Sequence, residues 1–174
     1  MSRIRSVSIE AIQFAPLLVL AAPFVVAGEV DLGAAGASFL WAAGLSVVVV
    51  SVLAWRGVLQ NPILLGVDVW LCAGAIGFAF VPPLAAALAS LQASAMFIGI
   101  LLVGAWLAFR SETGFIGTRL DDSAAVLHGS QVLLALTLGA LVWSFVLPDI
   151  RTGGALPFIL LNVARRVWIR RASR

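Results

Sequence analysis

The segment NPILLGVDVWLCAGAIGFAF, residues 61–80, is apolar along most of its length and carries one carboxylate, Asp68. A carboxylate at the centre of a bilayer costs about 2.5–3.5 kcal/mol unless it finds a partner. Three chemistries suit such a group. It can pair with an arginine, hold a proton or a cation, or reach the inner headgroups and meet water. The partners on offer lie far along the chain. Arg165 and Arg166 supply charge, and His128, Gln131 and Asn162 supply hydrogen-bond donors. Pairing with Arg165 or Arg166 is the leading expectation, since an ion pair there pins one helix to another. A proton or cation site around Asp68 is the second reading, because ionisable groups inside spans mark such paths. In that reading His128 relays protons; otherwise it is an interfacial histidine.

Other chemistry finds little support. One histidine cannot supply both axial ligands of a bis-histidine haem. The chain has no H-E-x-x-H, C-x-x-C or G-x-S-x-G pattern. The run GFIG at 114–117 is too short to cradle a phosphate. No stretch pairs acids at a spacing suited to a metal. The expectation is therefore no enzyme, no cofactor and no metal site. The single cysteine, Cys72, forms no disulfide within the chain and packs as a small hydrophobe.

The elements that must position these residues follow from composition. Of 174 residues, 62% are hydrophobic and only 11% charged. A soluble domain carries about 25% charged residues, so a globule of this make-up could not cover its surface. An all-α integral membrane protein is the expected class. A helix needs about 20 apolar residues to cross the hydrocarbon. Six candidate spans result, at about 9–28, 36–55, 62–81, 87–109, 127–147 and 153–169. Arg3 and Arg5 before the first run imitate a signal peptide, but the run is long for one. VPPL at 81–84 reads as a tight turn, and 110–126 as a cytoplasmic loop.

All basic residues are arginines. With the N-terminus inside, ten of them face the cytoplasm and only Arg151 faces out. That satisfies the positive-inside rule and puts both termini in the cytoplasm. Trp41 and Trp143 then fall at outer helix ends, and Trp55, Trp106 and Trp168 at inner ends, where indoles anchor at headgroup depth. The sixth span is short and contains Pro157, so an interfacial helix competes with it. Five spans would place the arginine-rich C-terminus outside, which favours six. The same topology sets Asp68, Ser51, His128, Gln131 and Asn162 in the inner half of the membrane. Phe115 and Ile116, between glycines, are expected to dip into the interface. Small-residue pairs at Ala73/Gly77 and Ala135/Gly139 permit close helix approach.

The expected architecture is a single six-transmembrane-helix bundle in a bacterial plasma membrane. The expected role is a non-catalytic subunit or scaffold. Its partners would be the lipid bilayer, other membrane subunits or a second copy, and no nucleic acid. The alternative is a small-solute or proton-coupled transport component whose polar site surrounds Asp68.

Overall fold

The computed structural model describes residues 11–27, 32–119, 122–147 and 150–172. Arg3, Arg5, Glu29, Asp31, Asp121, Asp149 and Arg174 lie outside these residues, as do the first and last residues expected of the first span. All regular elements among the described residues are helical. In chain order they are α1 (Ala15–Ala27), α2 (Leu32–Trp55), α3 (Pro62–Phe80), α4 (Pro82–Leu91), α5 (Ala93–Arg110), α6 (Ser123–Val146), a π-helical turn (Ile150–Ala155) and α7 (Leu156–Ala172). Four helices are long and apolar enough to cross a membrane: Gly36–Trp55, Pro62–Phe80, Ala93–Arg110 and Ser123–Val146.

Proline explains two starts. Pro62 and Pro82 each occupy the first position of a helix, where a missing N–H leaves no bond unmade. Pro157 sits second in α7, directly after the π-helical turn. The stretch expected as one span at 87–109 is instead interrupted. Gln92 adopts φ 48°, in the left-handed region, and separates α4 from α5. The turn at 81–84 is equally terse. Val81 alone joins α3 to α4, its N–H donating to the carbonyls of Ile76 and Gly77. The two helices fold back sharply because Gly77 has no side chain. A Cβ there would lie 2.9 Å from the Ala85 nitrogen.

The chain forms two compact units. The first comprises residues up to Gln60 together with Val67–Ser90; the second comprises Asn61–Gly66 and everything from Leu91 onward. In the first unit α1 packs on α2. Phe39 of α2 stacks on Phe78 and meets Trp70 edge to face, with ring centroids 5.7 and 5.1 Å apart. Gly74 makes room for the Phe39 ring. In the second unit α5 packs on α6, and α6 on α7. The first turn of α3 joins them at Gly66, where a Cβ would collide with the Ile100 backbone.

Helices in lipid cannot hide apolar surface from water, so they meet through close backbone approach and internal polar contacts. Gly66 and Gly77 serve the first purpose against the backbones of Ile100 and Ala85, whereas Gly74 and Gly104 make room for the rings of Phe39 and Phe115. Gly139 does neither, for nothing comes within 4 Å of its absent Cβ. Of the two expected small-residue pairs, only Ala73/Gly77 has a glycine in helix contact.

Candidate functional site

Several buried polar side chains of the second unit bond one another or nearby backbone. Asn61 sits just before α3, and its Oδ1 accepts the Ile63 N–H at 3.1 Å, which caps the helix. Its Nδ2 donates to Asn162 Oδ1 at 3.1 Å. Asn162 in turn donates from Nδ2 to the Phe158 carbonyl, one turn back in α7, at 3.0 Å. Both asparagines are buried. At the far end of the unit Ser144 donates to Ser94 at 2.9 Å, which ties α6 to α5.

The second feature is the connection between α5 and α6. Phe115 and Ile116 are both fully buried inside the unit. They do not dip into a lipid interface as the flanking glycines suggested. Gly114 and Gly117 adopt φ 56° and 67°, which lets the chain turn in and back out over four residues. The Phe115 ring enters a hollow made by Gly104, where a Cβ would lie 2.7 Å from Cζ. Ile116 lies against Gly129.

Burying a loop strands its backbone groups unless side chains serve them. Ser130 accepts the Phe115 N–H at 2.9 Å while donating to the Val126 carbonyl at 2.8 Å. Arg165 donates from Nε to the Ile116 carbonyl at 2.7 Å, a length typical of a charge-assisted bond. Arg165 is only 5% exposed. A guanidinium cannot shed its charge, so at this depth it needs acceptors. The inserted loop brings one.

The first unit holds Asp68. It is 8% exposed, and Ser46 of α2 is 1% exposed. The Ser46 hydroxyl is the polar group of this unit that faces the Asp68 carboxyl. The contact is looser than a regular hydrogen bond, and Ser46 Oγ has no partner within regular hydrogen-bond geometry. Cys72 follows Asp68 by one turn on the same helix and feels its charge.

The expected polar group thus divides. Asp68 belongs to the first unit and Asn162, Arg165, Arg166, His128 and Gln131 to the second. Asn162 and Arg165 are buried side by side on α7, three residues apart and hence on one face. His128, Gln131 and Arg166 are exposed. Asn162, one of three residues expected as possible donors to Asp68, donates from Nδ2 to the Phe158 carbonyl. His128 packs its ring 5.3 Å from that of Trp168, whose Nε1 is buried without a partner.

Trp41, Trp55, Trp106 and Trp143 are exposed, and the Arg110 guanidinium lies 5.2 Å over the Trp106 ring. Trp41 stands nine residues after the start of α2 at Leu32 and five after the start of its apolar span at Gly36. Ser51, expected among the inner polar groups, faces outward, and Ser46 is the buried serine of α2. Sequence reasoning also missed Asn61 and Ser130. Their signals were present: an asparagine immediately before a helix-opening proline, and a serine one residue after a glycine. Comparison with protein-family models, with curated proteins and with solved structures finds no match for the chain.

Proposed function

We propose that this chain is a multi-span membrane protein of a bacterial plasma membrane, working as a non-catalytic subunit or scaffold. The proposed topology has six spans and both termini in the cytoplasm. Four of the spans would be the long apolar helices, and α1 and the helical stretch 150–172 would provide the other two. That last stretch has 23 residues, or about 34 Å if its rise is near 1.5 Å per residue.

One observation carries the functional reading. The buried asparagines, serines and arginine of the second unit hold helices and a loop in place: Asn61 to Asn162, Ser94 to Ser144, Ser130 to Phe115 and Arg165 to Ile116. Groups committed this way position helices and a loop, as a structural subunit needs.

The exposed apolar side chains of the long helices, among them Val47, Leu102, Leu138 and Val142, suit lipid or a partner helix. Affinity capture of the full chain in mild detergent, followed by native mass spectrometry, tests the role. A subunit retains a defined protein partner or a second copy at fixed stoichiometry. A chain that runs only as a monomer with bound lipid refutes the subunit reading.

A further inference from the structure

We propose that Asp68 and Ser46 form a proton-binding site inside the membrane, with Asp68 as the carboxyl that carries the proton. This goes beyond the subunit reading and rests only on its membrane part.

The observations are geometric. Asp68 lies six residues into α3, about 9 Å along the helix from Pro62. Ser46 lies nine residues before the end of α2, about 14 Å from it. Both are more than nine-tenths buried. The Ser46 hydroxyl interacts with the carboxyl, yet its oxygen has no partner within regular hydrogen-bond geometry. A buried hydroxyl left unpaired costs about 1–3 kcal/mol, so such groups are rare without a purpose.

The charge around the pair is sparse. Among the described residues of this unit, the ionisable side chains are Arg56, Asp68 and Cys72. Arg56 follows α2 and is exposed. Cys72 is one turn from Asp68, and a thiolate there would repel a carboxylate. From the second unit, Arg165 and Arg166 are the cations that the expected topology places nearest in depth. Arg165 already serves the Ile116 carbonyl.

A carboxyl in this setting has two ways to avoid a bare charge: an arginine or a proton. A metal cation is the poorer third, because hard cations take about six oxygens and a carboxyl with one hydroxyl falls well short. A proton needs a single oxygen. The protonated acid can then donate to the Ser46 hydroxyl.

The test uses the full chain in liposomes and the lipid-soluble reagent dicyclohexylcarbodiimide, which adds to protonated carboxyls. Peptide mass spectrometry locates the adduct. The expected result is labelling at Asp68, falling roughly tenfold per pH unit above its midpoint. Replacing potassium with sodium leaves it unchanged, and Asp68→Asn removes the adduct. A water-soluble carbodiimide labels exposed Glu112 and Asp122 and spares Asp68.

Three outcomes overturn the proposal. Absence of Asp68 labelling at every pH, with Glu112 reacting normally, means a carboxylate held ionised by arginine. Protection by sodium means a cation site. Equal reaction with the water-soluble reagent means a carboxyl open to water. Alkaline carbonate extraction reads the membrane assignment separately. A chain stripped from vesicles refutes that assignment, whereas a chain that stays and fails to label refutes only the proton site.

Discussion

Replacing Gly104 with alanine places one methyl group against a ring that has nowhere to go. The new Cβ would sit 2.7 Å from Phe115 Cζ and 2.8 Å from both Cε atoms. Phe115 is fully buried, its N–H is bonded to Ser130, and the next carbonyl is held by Arg165. Overpacking of this kind costs about 1–3 kcal/mol. Alanine also gains up to about 1 kcal/mol over glycine in a helix interior, which would mask part of the cost. Gly139→Ala removes that ambiguity. Gly139 lies inside α6 with nothing within 4 Å of its absent Cβ, so it collects the helix gain alone. The difference between the two variants is therefore the clash, about 1–3 kcal/mol. Reversible unfolding in mixed micelles, read by tryptophan fluorescence, measures it; by heat, each kcal/mol is worth about 2–4 °C for a chain of this size. Phe115→Leu on the Gly104→Ala background should recover much of the loss, a coupling above about 0.5 kcal/mol. If the two alanine variants unfold within about 0.5 kcal/mol of each other, the ring does not occupy the Gly104 hollow and the inserted loop is wrong.

Asn162→Leu leaves the buried Asn61 Nδ2 without its acceptor and should cost about 1–3 kcal/mol in the same unfolding assay. In a Cys72→Ser background, Phe115→Cys should resist a water-soluble maleimide until the protein unfolds, while Glu112→Cys on the exposed side of the same loop reacts at once. Equal rates at the two positions refute the burial of Phe115. In the same background, oriented vesicles test the six-span topology: Gly57→Cys should label from the cytoplasmic side and Thr152→Cys from the outer side, and labelling of both from one side excludes it.

The helices were legible because hydropathy and proline punctuation both speak at the scale of a span. Pro62 to Phe80 was expected to within one residue, for Pro62 starts the helix and the apolar run sets its length. The break at Gln92 was not legible. ALASLQASAM is apolar or small on both sides, and no glycine or proline marks a left-handed residue there. The loop at 111–119 failed for a related reason. Two glycines around Phe115 and Ile116 reveal that the chain turns, but not whether it turns toward lipid or protein. That choice depends on Gly104, Gly129 and Ser130, on helices before and after the loop, and no local pattern couples them. Asn162 and Arg165 were recognised as polar residues that must be satisfied. Their partners, an asparagine and a loop carbonyl, are set by tertiary contact and leave no trace in spacing.

Among the described residues, the buried charged side chains Asp68 and Arg165 solve the same electrostatic problem by different means, and the difference follows from their chemistry. Arginine keeps its charge at any accessible pH, so its surroundings must supply acceptors. Around Arg165 they do: an entire loop turns inward, held by two left-handed glycines, and presents the Ile116 carbonyl. The loop and the arginine depend on each other, since the carbonyl needs the guanidinium as much as the charge needs the carbonyl. Aspartate is not bound by that constraint, because it can lose its charge by taking up a proton. Around Asp68, among the described residues of its unit, the group beside the carboxyl is the Ser46 hydroxyl, which lies outside regular hydrogen-bond geometry. A site that has to hold a fixed charge is built out with partners. A site that exchanges a proton must leave a bond free to be made and broken, and Ser46 is the group left free to make it.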